Sequence, residues 1–234
     1  MAYKRILVKV SGEALVGQGG FGIDVETVSN IAEDISNAKN MGIDIAIVVG
    51  GGNIVRGGVF AFSPKERVSS DHMGMLATVI NALALNNALL RLGINSVVFS
   101  AISMPQICES FAQNKVLSAL DHGKVVIFAG GTGNPYFTTD TAATLRAIEI
   151  GADVLIKATQ VDGVYDSDPR KNESAKHLAH VSYSEAIQRN LAVMDMTAIT
   201  LAKDNKIPIL VYSLIGADSL CKVLRGEGKF SIVN

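Results

Sequence analysis

Six short runs of β-branched and aliphatic residues recur along the chain, separated by longer amphipathic stretches, and no other feature restricts its fold so tightly. They are RILVKV near 5–10, IDIAIVV near 43–49, INSVVFS near 94–100, KVVIFAG near 124–130, ADVLIKA near 152–158 and IPILVYS near 207–213. Nearly all are apolar on both faces, as strands of a parallel sheet must be when helices cover it from both sides. DVETVSNIAEDISNAKNMG opens on a capping Asp24 and closes at Gly42, and the stretch from Asp71 to Gly93 is rich in Ala and Leu, so both read as helices. The expectation is an α/β, three-layer αβα sandwich around a mostly parallel sheet. No repeat, low-complexity tract or Pro/Gly/Ser linker divides residues 1–234, which read as a single domain. There is room for a nucleotide-side lobe from residue 159 onward, past Asp162.

Composition narrows the class of partner. A chain of 234 residues builds a substantial core. Hydrophobic residues make up 48 % and mean hydropathy is +0.31, yet no unbroken apolar run approaches the roughly 18 residues of a membrane span. The N-terminal apolar stretch passes at once into Lys9, Ser11 and Glu13, which is no signal-peptide core. A soluble, cytoplasmic protein that binds no membrane is expected. With 21 basic and 22 acidic residues there is no basic footprint for nucleic acid, and the absence of Trp argues against a base-stacking platform, so small molecules are the expected partners. Cys108 and Cys221 lie too far apart for a zinc or redox pair and read as small buried hydrophobes.

Four glycine-bearing loops follow strand ends, where open α/β sheets hold their ligands. They are KVSGEALVGQGGFG, GGGNIVRGG, GGTGNPYFTTD and KATQVDGVYDSDP. Backbone N–H groups in such loops bind anions, and Gly admits a phosphate closely. Two standard fingerprints nonetheless fail. GQGGFG, residues 17–22, matches G-x-G-x-x-G but begins well beyond Val10 rather than at the strand-to-helix turn. The Walker pattern is absent, because Gly123-Lys124 and Gly228-Lys229 continue into Val125 and Phe230. Phosphoryl transfer here is not P-loop chemistry.

KVSGEAL, VVGGGNIVRG, DHMGMLATVINALAL, AGGTGNPYFTTDTAATLRAIEI, KATQVDGVYDSDP and VMDMTAITLAKDNKIPI follow one another as in a single family. The chain resembles the bacterial uridylate kinases, of the amino-acid-kinase superfamily, over essentially its whole length. The resemblance implies transfer of the γ-phosphoryl group of ATP to UMP, giving UDP and ADP, with Mg²⁺ carried by the nucleotide and no metal-binding side chain. It implies catalytic roles for Lys9, Arg56, Asp140 and Lys157. The lysines neutralise phosphate oxygens, Asp140 orients the lysines, and positioning is the main task because the acceptor is already an anion. ATP contacts by the same resemblance are Lys9, Val10, Ser11, Gly12, Gly52, Arg56, Thr159, Tyr165 and Asp168. UMP contacts are Gly51, Asp71, Thr132, Gly133, Asn134, Pro135, Tyr136, Phe137, Thr138 and Thr139, with Arg56 gripping the UMP phosphate.

Each residue also has a bland reading. Lys9 alone is a strand-end charge, Arg56 a surface ion pair, and Asp71 and Asp140 helix N-caps. Met73 and Met75 read as helix packing, His177 and His180 as solvated, and His72 as a neighbour of the site.

The resemblance further implies a homohexamer built as a trimer of dimers, feedback inhibition by UTP, activation by GTP, and a regulatory use of Gly17, Gln18, Gly19, Gly20, Phe21 and Gly22. Asn86, Leu90 and Val97 stand where strongly GTP-responsive members carry basic residues, which weakens that part of the match. The apolar face of residues 76–92 suits either an oligomer interface or the core. Two alternatives stay open: another small-molecule kinase of the superfamily, and a non-catalytic protein binding oxoanions such as molybdate.

Overall fold

A computed structural model describes residues 3–17, 20–55, 63–214 and 219–234, the side chains of 64 and 65 excepted. The strands are β1 (Arg5–Val10), β2 (Asp44–Val49), β3 (Ser96–Ser100), β4 (Glu109–Ser110), β5 (Val125–Ala129), β6 (Val154–Thr159), β7 (Val164–Tyr165), β8 (His177–Leu178), β9 (His180–Val181), β10 (Ile209–Ser213) and β11 (Phe230–Val233). The helices are α1 (Val25–Lys39), α2 (Pro64–Arg91), α3 (Gln113–Asp121), α4 (Thr139–Glu149), α5 (Tyr183–Gln188), α6 (Met196–Asn205) and α7 (Ser219–Leu224), with a 3₁₀ turn at Gly12–Leu15. Among the described residues nine strands form one sheet in the order β4-β3-β5-β2-β1-β6-β10-β11-β9, parallel throughout except for β10 with β11. All six expected strands are present, within a residue or two at their ends. β7 and β8 make a separate antiparallel pair.

The side chains of the central strands alternate between two cores. Ile6, Val8 and Val10 of β1 pack on one face with α1, α2 and α7, and Leu7 packs on the other with α3, α4 and α6. This is the three-layer sandwich that strands apolar on both faces require.

Three local expectations are corrected. Asp71 does not open the long helix: α2 begins at Pro64, and Ser63 is its N-cap, its side chain accepting from Glu66 N at 3.3 Å. Asp140 lies one residue inside α4, whose N-cap is Thr138. Within α2, Glu66–Arg91 contains an 18-residue window of mean hydropathy 1.5, long and apolar enough to cross a bilayer, with half of that window buried in the fold. Two of the polar residues that break up this run in sequence, Thr78 and Asn81, point inward at 2 % and 0 % exposed, while Asn87 is exposed.

Candidate active site

β1 and β6 are neighbours, and their register sets Lys9 directly beside Lys157. Residues opposite one another in a parallel pair share a face, so two ammonium groups meet on the α4 side of the sheet, at its carboxyl edge. Asp140 resolves their repulsion from the first turn of α4, where the helix dipole favours a carboxylate. Its Oδ1 lies 2.7 Å from Lys9 Nζ and its Oδ2 3.1 Å from Lys157 Nζ. Lys157 also donates to Val193 O at 2.5 Å. Burial would raise the Asp140 carboxyl, but the two ammonium charges outweigh it and hold the group below its ordinary 3.8. Burial, helped by the charge of Lys9 and opposed by Asp140, lowers Lys157 below the ordinary lysine value.

The two lysines of this bridge line a cleft of about 540 Å³, within the size range of small-molecule sites. Ser11, Thr159, Tyr165 and Asp168 line it together with Lys9 and Lys157. Arg189, Asn190, Leu191 and Ala192 complete its wall, and the sequence reading missed them because they follow α5, far along the chain and with no glycine to mark a ligand loop. A second hollow of about 240 Å³ is lined by Gly51, Gly52, Asp71, Thr78, Thr132, Phe137, Thr138 and Thr139, among others. Gly52 therefore lines the smaller hollow beside Gly51 and is absent from the lining of the larger cleft. Gly133, Asn134, Pro135 and Tyr136 form a turn closed by Thr132, whose Oγ1 accepts from Asn134 N at 3.2 Å. Arg56, Gln18 and Gly19 lie outside the described residues.

The second glycine loop is packed main chain to main chain. A Cβ on Gly12 would lie 2.6 Å from Gly52 N, one on Gly50 2.7 Å from Gly12 N, and one on Gly51 2.6 Å from Gly74 O of α2. Val10 is fully buried beneath this contact. Asn53 and Asn81 pair their amides reciprocally at 3.0 and 2.7 Å, Asn81 also donating to Gly50 O and Asn53 to Gly22 O. Gly22, at the end of the GQGGFG stretch, is thereby tied to the same loop; Gly17 packs against Asp24, Gly20 has open space at its Cβ position, and Phe21 is exposed.

Asp71 is held inside the smaller hollow by Arg67, whose Nε lies 2.9 Å from both carboxylate oxygens, and by Tyr136 N at 2.8 Å. Tyr136 has φ +71°, a left-handed backbone uncommon for a bulky residue. Asp195 caps α6 through Ala198 N at 2.9 Å and accepts from Thr138 and from Thr141. Its place before a helical stretch is an N-cap signal that the sequence offered and the reading left unused. His177 is partly buried and packs edge-on to Tyr165, at 5.3 Å between ring centroids, while His180 is exposed. Met75 is buried and Met73 half exposed; Cys221 is buried and Cys108 intermediate.

Residues 4–213 match the amino acid kinase family. The chain is 57 % identical over 234 residues to the uridylate kinase of Bartonella bacilliformis, covering all of this chain and 98 % of that protein. It is 54 % identical over 233 residues to that of Brucella abortus, covering 100 % and 97 %. Among solved structures it is similar to a UMP kinase from Bacillus anthracis, with TM-score 0.95, 36 % identity and coverage of 100 % and 97 %. It is similar also to the UMP kinase of Ureaplasma parvum, with TM-score 0.92, 38 % identity and full coverage of both chains.

Proposed function

The chain belongs to the amino acid kinase family, and from that membership and the geometry of the two hollows we propose that it is a uridylate kinase, transferring the γ-phosphoryl group of ATP to UMP to give UDP and ADP. The observation that carries the reading is the Lys9–Asp140–Lys157 bridge. Two ammonium groups share one bridging carboxylate, with Asp195 acting on Lys157 from farther off, so both cations are held where they line the larger cleft. Phosphoryl transfer between two anions needs that charge and little else from side chains beyond positioning.

ATP occupies the larger cleft, its phosphates directed towards Lys9, Ser11 and Lys157 and its base towards Tyr165 and Leu191. UMP occupies the smaller hollow, its ribose hydroxyls directed to Asp71 and its base to the Thr132–Thr139 segment, with Arg56 at the acceptor phosphate. Asp140 is a positioning residue: it holds both lysines without itself being the base, since the acceptor phosphate carries its own lone pairs. Mg²⁺ would enter with ATP, with no protein side chain assigned to it. It would supply neutralisation of developing charge.

A homohexamer, inhibition by UTP, activation by GTP, cytoplasmic residence and a place in pyrimidine nucleotide synthesis belong to this reading as proposals. Exposure of Met73, Leu76 and Ile80 along α2 supports an oligomer interface. UDP formation from ATP with UMP, CMP, dUMP and carboxylate acceptors, with and without GTP and UTP, tests the whole. Turnover of a carboxylate and none of UMP overturns it.

A further inference from the structure

The wall of the larger cleft at Gly163–Tyr165 is anchored by residues far away in sequence that bear no resemblance-based role. Gly163 has φ +153°, and a Cβ there would lie 2.3 Å from His177 Nε2 and 2.6 Å from Ser231 Oγ, so the cleft's main chain is pressed against that pair. Fully buried Ser231 accepts from Val164 N at 2.8 Å and lies 3.2 Å from His177 Nε2. Since Oγ already accepts from the backbone, its own hydrogen is best directed at Nε2, which receives it only while the imidazole is neutral. The His177 ring backs the ring of Tyr165 edge-on, and the Tyr165 hydroxyl bonds Asp162 Oδ1 at 2.6 Å and Lys229 Nζ at 2.8 Å. Lys229 also meets Asp162 at 2.9 Å.

We propose that His177 is a positioning residue for the donor nucleotide: in its neutral form it latches the Gly163–Tyr165 wall onto β11, and its protonation loosens that wall and weakens ATP binding. The inference rests on the reading that ATP occupies the larger cleft. The groups facing the imidazole are Asp162 from the preceding turn, whose backbone bonds the ring and whose carboxylate also favours its charged form, Tyr165 from β7, and Lys229 and Ser231 from the β11 side; Lys176 lies just before β8. A charged ring can no longer accept the Ser231 hydrogen, which leaves that buried hydroxyl proton without its acceptor even where Nε2–H turns to donate to the second lone pair of Oγ, and it repels Lys229 and competes with Tyr165 for Asp162. The exposed Lys229–Asp162 pair alone is a weak tether, which leaves the buried Ser231–His177 contact as the stronger fastening. Burial foremost, and then Lys229, depress the His177 pKa below 6.5, so the latch is fully formed above that value and is lost as pH falls below it.

The test uses the full chain, with initial rates of UDP formation from about pH 5.5 to 8.5, varying MgATP at saturating UMP and UMP at saturating MgATP. ATP and UMP titrate in the same range, so each profile is read as its ratio to that of His177→Gln, whose amide stays neutral. Wild type is expected to show KM for ATP rising about three- to tenfold at low pH relative to the Gln variant, the worth of one net hydrogen bond, with no such rise in KM for UMP. Ser231→Ala, which keeps the strand and loses the contact, is expected to raise KM for ATP at every pH and to abolish the step. Superimposable KM profiles for wild type and His177→Gln, or a step equal for both substrates, overturn the latch. Ala192→Trp separates the two readings, because this exposed wall residue fills the cleft without entering the core. A raised KM for ATP in Ala192→Trp upholds the cleft assignment whatever His177 does; an unchanged one removes both.

Discussion

The two ends of β1 carry charge clusters of opposite design. At the start of the strand, Arg5 Nη2 pairs with Asp44 and Asp121 at 3.1 Å and Nη1 donates to Ile150 O at 2.9 Å, while Asp153 accepts from the Lys4 and Arg5 backbone. Lys39 adds a longer contact to Asp44 at 3.9 Å. Acid is in excess there, and the Arg5 guanidinium meets a carboxylate or a carbonyl through both terminal nitrogens. Four residues later, Lys9 and Lys157 divide a single carboxylate between them. One cluster staples the strands to α3 and the end of α4. The other sets two ammonium groups on one bridging carboxylate, at the edge where loops open on solvent. The same strand thus carries one ionic cluster that ties elements together and another that, on the proposed function, meets phosphate.

Four substitutions or titrations break this contrast in order of decreasing effect. Lys9→Met is expected to lower kcat by about two to three orders of magnitude, the range seen when one transition-state charge donor is removed, while thermal unfolding shifts little because Lys157 still pairs with Asp140. A folded Lys9→Met protein with near-normal kcat removes the lysine from the transfer step. Asp140→Asn is expected to cut kcat by about tenfold or more and also to lower Tm, since it leaves two buried ammonium groups facing each other. An intact kcat there, measured on protein with native circular dichroism, ends its positioning role.

Arg5→Met sharpens the comparison from the other side: a stability loss of about 1–3 kcal/mol by urea titration, with kcat per folded molecule unchanged. A selective loss of turnover shows the two ends to be coupled. The smallest effect is in pH. The lowered pKa of Lys157 means that its ammonium is lost before an ordinary lysine's as pH rises, so kcat/KM declines on the alkaline side below 10.5. Asp140→Asn removes the charge that resists this loss and is expected to move the decline lower still. A decline starting only above 10.5 contradicts it.

Much of this was legible in the residues. The six apolar runs announced the sheet because parallel strands buried on both faces carry little else, and the loops at their ends announced where ligands go. The start of α2 was misplaced because SPKERVSS reads as polar and the apolar stretch begins only near Met73, although Ser63-Pro64 with Glu66 is a capping signal. The short strands β4, β7, β8 and β9 have two residues each, too few for any period to show. Contacts such as Ser231 with His177, 54 residues apart, or Thr138 with Asp195, 57 apart, have no local signature, because only the folded sheet brings their segments together.

The glycine contacts have a mechanical consequence. With Gly12, Gly50 and Gly51 seated on each other and on Gly74, the first two loops and α2 touch mostly through main chain, with Asn53 Oδ1 and Ala77 Cβ beside it, and a single methyl group at Gly12, Gly50 or Gly51 would wedge them apart. The spacing between Ser11 in the wall of the larger cleft and Gly51–Gly52 in the wall of the smaller hollow is therefore gauged by the thickness of a polypeptide backbone, a spacer with no rotamers. A side chain in that position would let the gauge vary from one molecule to the next; the backbone makes it a constant of the fold.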